Sequence, residues 1–99
     1  MVRVRVEFSG GMDLIFGGVK ETDIDVAPAA GQPLTVTDVM VHCRDKLLKE
    51  RPEFFMKGDS VRPGILVLIN DADWELFGTK HAEVEEGDHV VFISTLHGG

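Results

Sequence analysis

The chain has 99 residues, 43% of them hydrophobic and 27% charged, a balance that suits one soluble domain with a modest core and leaves no room for a second. No apolar run approaches the roughly 20 residues of a membrane span, and no cationic, hydrophobic leader precedes the opening VRVRVEF, so a cytoplasmic address with no membrane contact is expected. The formal net charge is −7 and the acidic excess falls after Lys49, which argues against direct binding of nucleic acid and for a basic protein partner.

In chain order, Val2, Val4, Val6 and Phe8 alternate with Arg3, Arg5, Glu7 and Ser9, the period of a strand with one buried and one charged face. Gly10 and Gly11 permit a turn. Residues 14–16, followed by Ile24 and Val26, suggest a second strand, whole or broken, returning antiparallel to the first. Residues 27–33, APAAGQP, have no periodicity and read as a connection. From Thr35 the period changes: Val36, Val39, Met40, Cys43 and Leu47 define one apolar face of a helix, opened by a Thr35/Asp38 capping box and ended by Pro52.

Beyond the helix, residues 53–56 suggest a short extra turn, and Gly58, Pro63 and Gly64 a further connection. Residues 65–69, ILVLI, form a continuous apolar run, the pattern of a strand covered on both faces at the centre of a sheet. Residues 70–73 read as a turn. Trp74, Leu76 and Phe77 then suggest a short strand closed by Gly78, and Gly87 with Asp88 turns the chain into a last strand over 90–93. The expected class is α+β, a mixed sheet of about five strands with one main helix across one face.

Residues that could carry chemistry are few. Cys43 is the only cysteine; it cannot form an internal disulfide, and it lies on the apolar helix stripe, where a cysteine is ordinarily a small core residue. His42, His81, His89 and His97 show no metal-ligand spacing, and Asp71, Asp73 and Glu75 lack the remaining positions of a calcium loop, so no metal and no bound cofactor are expected. Gly10–Gly11 and Gly17–Gly18 lack the Gly-Lys-Ser/Thr ending of a phosphate loop and read as turns. Trp74 reads as a core or sheet-face anchor. Gly98 and Gly99, directly after a strand-like run, are more suggestive: two residues without Cβ make a thin, pliable tail that could thread a narrow tunnel in a partner enzyme and deliver a carboxylate to it.

Three stretches carry a family resemblance: LLKERPEFF at 47–55, GDSVRPGILVLINDADWEL at 58–76, and the ending FISTLHGG from Phe92. They resemble the ubiquitin-related modifier family through the whole second half in unbroken register. The first half agrees in layout only, and APAAGQP and residues 80–82 depart from the family pattern.

What the resemblance implies is a ubiquitin-like β-grasp domain over residues 1–99 with a flexible diglycine tail at 95–99. The implied activity is that of a sulfur carrier, itself no enzyme. Gly99 would be adenylated by a ubiquitin-activating-like adenylyltransferase and converted to a thiocarboxylate by a rhodanese domain, with ATP and a persulfide donor serving the partner. The sulfur would pass to a tRNA thiolase complex for 2-thiolation of wobble uridine. The same carboxyl would also be conjugated to target proteins.

By the same reading Gly98 is a spacer, and Thr95, Leu96 and His97 offer main-chain contacts as the tail is gripped in extended form. A docking patch is expected on the sheet face near the tail, with apolar anchors and an acidic rim, Asp71, Asp73 and Glu75 being candidates for that rim. Two other readings share the fold: a small subunit of a molybdopterin-synthase-like enzyme, and a ubiquitin-like interaction module with an idle tail. A monomer is expected.

Overall fold

In the computed structural model, which describes residues 1–95, the opening alternation becomes strand β1, Val2–Ser9, with Val4, Val6 and Phe8 buried and Arg3 and Arg5 exposed. Gly10 and Gly11, both at positive φ, turn the chain into a 3-10 turn over Met12–Phe16. Gly10 is required there: a Cβ on it would lie 2.1 Å from the Ser94 carbonyl oxygen. Strand β2, Glu21–Val26, then returns antiparallel, with Val2 opposite Val26 and Glu7 opposite Glu21. Residues 14–16 are therefore not strand. Left-handed glycines at 11 and 17 bracket a single turn, which drives Met12, Ile15 and Phe16 into the core.

Helix α1, Val36–His42, opens at the expected capping box, in which Asp38 Oδ2 accepts from the Thr35 backbone N–H at 2.9 Å. It buries Val36, Val39 and Met40 and continues as a π turn over Cys43–Leu47. The helix stops at Leu48, which is extended, so Pro52 does not end it. The Leu48 N–H closes the π turn on Cys43 O at 2.9 Å, and tertiary pairing then takes over, the Lys49 N–H donating to Ile15 O at 2.9 Å rather than to the helix. Pro52 instead opens the 3-10 turn Pro52–Phe54, the short extra turn that the sequence suggests.

The connection expected after it contains a small antiparallel hairpin, β3 at Met56–Lys57 and β4 at Ser60–Val61, whose strands are too short to show alternation. Strand β5, Ile65–Ile69, joins β6, Ala72–Asp73, through Asn70 and Asp71, both at positive φ as a two-residue hairpin turn requires. Residues 74–77 form a 3-10 turn and not a strand, because Asp73 caps them by accepting the Glu75 N–H at 2.9 Å. Trp74 packs partly buried against the core, as expected of an anchor. The last strand, β7, spans His89–Ser94.

These strands make a mixed five-stranded sheet in the order β2-β1-β7-β5-β6, with α1 packed into the same core. Central strand β7 runs parallel to β1, with Phe92 beside Phe8, and antiparallel to β5, with Ile93 opposite Leu66. The apolar run 65–69 is thus neither central nor covered on both faces: Ile65, Val67 and Ile69 enter the core, whereas Leu66 is 51% exposed. Four phenylalanines knit the core. Phe8 stacks on Phe16 at 3.9 Å between centroids, and Phe55 meets Phe16 and Phe92 edge-on at 5.2 and 5.3 Å. No described helix is long and apolar enough to cross a membrane.

Candidate functional site: the tail exit and the outer face of the sheet

Alternation along β7 sends Val90 and Phe92 into the core and Val91 and Ile93 to the opposite face. On β5, Leu66 and Leu68 share that outer face. Leu66, exposed, and the partly buried Leu68 and Ile93 therefore form an apolar strip over the β7/β5 half of the sheet, with Val91 buried on the same face.

The β1/β2 half of the same face is charged. Arg3 pairs with Asp25 at 3.1 Å, and Arg5 pairs with Glu21 at 2.5 Å and Asp23 at 3.3 Å. The hydrogen bond from Arg3 holds the Asp25 carboxyl below the usual carboxylate range. Spacing in the sequence cannot show that the sheet also gathers Glu7, Glu21 and His89, one ligand-type atom of each within 4.8 Å of the others. His89 Nε2 lies 3.2 Å from Glu7 Oε1 without hydrogen-bond alignment, while Arg5 already engages Glu21.

Strand β7 ends at a fixed point. The Thr95 N–H donates to Gly64 O at 3.0 Å and the Thr95 hydroxyl donates to the same oxygen. One residue earlier, Ser94 lies against Gly10 with no space for a side chain between them. The chain therefore leaves the sheet between two glycine-bearing turns. Of the tail residues expected to matter, Thr95 stands at this exit; Leu96, His97, Gly98 and Gly99 lie outside the described residues.

Known proteins of one family resemble this chain's sequence throughout. A family model described as Urm1 (Ubiquitin related modifier) matches residues 3–99. The chain belongs to the ubiquitin-related modifier family. A Ubiquitin-related modifier 1 homolog of Chlamydomonas reinhardtii is 56% identical over 99 residues, covering 100% of both chains. The solution structure of Urm1 from Trypanosoma brucei superposes with a TM-score of 0.81 at 35% identity, over 98% of this chain and 95% of that one. The crystal structure of the Amycolatopsis orientalis BexX/CysO complex contains a chain that matches with a TM-score of 0.72 at 22% identity, over 97% and 99% of the two chains, a likeness of fold.

The β-grasp fold implied by the three sequence stretches is thus the observed one, and the chain takes its place among the ubiquitin-related modifiers. Within that family frame the other candidates separate. Cys43 is fully buried and burial alone pushes its thiol up to about 12, so it is a core residue and not a nucleophile at neutral pH. Asp71, Asp73 and Glu75 are exposed around the β5–β6 turn, and Asp73 is already occupied as a cap. Sequence reading missed the apolar strip, although its signal is present: Leu66 and Leu68 interrupt what would otherwise be an in/out alternation on β5.

Proposed function

We propose that this protein delivers sulfur through the carboxyl group of Gly99 and that it acts as a substrate of partner enzymes rather than as an enzyme. The observation that carries the reading is the exit geometry within a family-defined fold: the central strand runs to Thr95, which two hydrogen bonds tie to Gly64, so that the diglycine begins just past a rigid anchor.

The chemistry follows from the carboxylate. An α-carboxyl titrates at about 3.3 to 3.7 and at neutral pH is an anion that resists nucleophiles. Transfer of AMP from ATP, with release of pyrophosphate, makes a mixed anhydride with a good leaving group. The outer sulfur of a persulfide on the activating partner displaces AMP. Breakage of its S–S bond by a second thiol closes a disulfide on the donor and leaves a thiocarboxylate on Gly99. In this scheme Gly98 supplies narrowness and reach, and Thr95, Leu96 and His97 supply main-chain contacts.

The apolar strip of Leu66, Leu68 and Ile93 is the docking face for the adenylyltransferase. It is continuous with the strand that feeds the tail, and it stands on rigid strands. That a chain of similar fold, CysO, is found in complex with BexX is consistent with carriers that work in partnership. In the cytoplasm the sulfur passes to a tRNA thiolase complex for wobble-uridine thiolation, with no direct nucleic-acid contact by the carrier. Conjugation to target proteins uses the same activated carboxyl.

Deleting the gene and assaying both products tests the route: thiolated tRNA is expected to disappear while molybdenum-enzyme activity persists. The reverse pattern would assign the protein to a molybdopterin-synthase-like complex.

A further inference from the structure

Arg51 and Arg62 stand apart from the other arginines. Arg3, Arg5 and Arg44 each have a carboxylate within 3.3 Å, whereas neither Arg51 nor Arg62 has an ion-pair partner among the described residues, although both lie in the half of the chain where carboxylates greatly outnumber cations. Their shared neighbour is an aromatic ring. The guanidinium carbons of Arg51 and Arg62 sit over Phe54 at 5.3 and 5.0 Å from its centroid. Such a contact engages the charge of each cation and uses none of its N–H donors, so two forked donor sets share one ring and are left free of carboxylates among the described residues.

Backbone geometry points the same way. Arg51 adopts φ 51° and ψ 61°, a left-handed conformation in which glycine would be cheaper, so its side chain is carried at a local backbone cost. Location adds the third element. The Arg62 N–H is held by Phe55 O at 2.9 Å, and two residues further on Gly64 O accepts both bonds from Thr95. Arg62 is therefore fixed by its backbone two residues before the carbonyl that anchors Thr95, and Phe54 links Arg51 to it.

We propose that Arg51 and Arg62, both over the Phe54 ring on the segments that flank the Met56–Val61 hairpin, form a cradle for a cluster of Asp or Glu side chains on the activating enzyme. This rests on the carrier reading above. Paired guanidinium groups recognise carboxylates through forked, charge-assisted hydrogen bonds. A net charge of −7 repels an extended phosphodiester at long range, which disfavours nucleic acid as the occupant. A protein partner can instead present basic groups to the acidic remainder and a local acidic patch to the cradle. Opposite signs at two places fix one orientation of docking, and with it the direction in which the tail enters.

The test uses the full chain with purified activating enzyme. Binding is measured by titration without ATP, and adenylation by ATP–pyrophosphate exchange, for wild type, Arg62→Glu, Arg51→Gly and, as a control for charge, Arg3→Glu at the far end of β1. Arg51→Gly relieves the backbone cost and gives up one ring contact, so its melting temperature is expected to stay close to wild type while binding weakens.

Arg62→Glu is expected to weaken binding and raise KM by about tenfold or more, with the loss shrinking as salt is raised, whereas Arg3→Glu stays within about twofold of wild type. Equal affinities for wild type and both cradle variants would overturn the cradle while leaving adenylation and the carrier reading intact. Wild type that binds but is never adenylated would overturn the carrier reading, with the cradle then judged by the titration alone. Wild type that does not bind at all would overturn both. A parallel titration with tRNA that detects binding lost in Arg62→Glu would overturn the choice of a protein occupant.

Discussion

The outer face of the sheet is divided down the seam between β1 and β7. On one side Arg3 and Arg5 are tied to Asp25, Asp23 and Glu21; on the other, half-exposed Leu66 lies with the partly buried Leu68 and Ile93. Both halves stand on the same core, and α1 covers neither. The contrast separates two demands. The β2 edge of the sheet would invite pairing with another chain, and a ladder of exposed charges discourages that without adding much stability. The β7/β5 half is left apolar next to the strand that leads to Thr95, as the docking proposed above requires.

The comparison can be broken at the core that both halves share. Phe92→Ala removes a fully buried ring that meets Phe55 and Phe8, and a loss of about 3–5 kcal/mol in urea unfolding is expected. A loss below about 1 kcal/mol would mean that the common core is not what supports the face.

The buried thiol gives the next effect. Its folded pKa of about 12 lies above the ordinary value of 9.0, so the folded state keeps a proton that the unfolded state loses above pH 9. Stability is then fully present below pH 9 and declines through pH 12, by at most about 1.4 kcal/mol per pH unit. Cys43→Ala should flatten that decline in alkaline denaturation. Iodoacetamide at pH 8 should label native protein at least about a hundredfold more slowly than unfolded protein, since thiolate is the reacting species. Equal rates would contradict the core assignment.

Leu66→Asp and Arg5→Ala sharpen the contrast between the halves directly. The first is expected to leave melting nearly unchanged and to raise KM in adenylation about tenfold, equivalent to about 1.4 kcal/mol of docking energy. The second should lower the melting temperature only slightly, an effect erased by high salt, and leave adenylation as it was. An interchange of the two results would place docking on the charged half.

Strong periodicity made much of this legible before any coordinates. The alternation from Val2 to Phe8 and the 3.6-residue spacing from Val36 to Cys43 each reported a buried face, and each became the element it announced. Short segments failed for a common reason: over three or four residues a 3-10 turn and a strand share apolar composition. Residues 14–16 and 74–77 became turns because left-handed glycines and the Asp73 cap decided their backbone.

The helix end was misplaced because Leu48 and Lys49 are claimed by Cys43 O and by the distant Ile15 O, a bond no local rule could supply. Of the site, the diglycine was readable as composition and position. The anchor at Gly64 and the meeting of both arginines at Phe54 were not, since contacts across 31 residues in the first case and from Arg62 to Phe54 in the second depend on the completed sheet and hairpin.

The central claim is that the Gly99 carboxyl is the reactive handle and the folded body presents it. Intact-mass analysis after incubation with activating enzyme, ATP and a persulfide donor tests this most directly. The account predicts a sulfur-for-oxygen mass gain confined to the carboxyl-terminal peptide and abolished by deletion of Gly99; an unmodified carboxylate, or the same gain without Gly99, would contradict it.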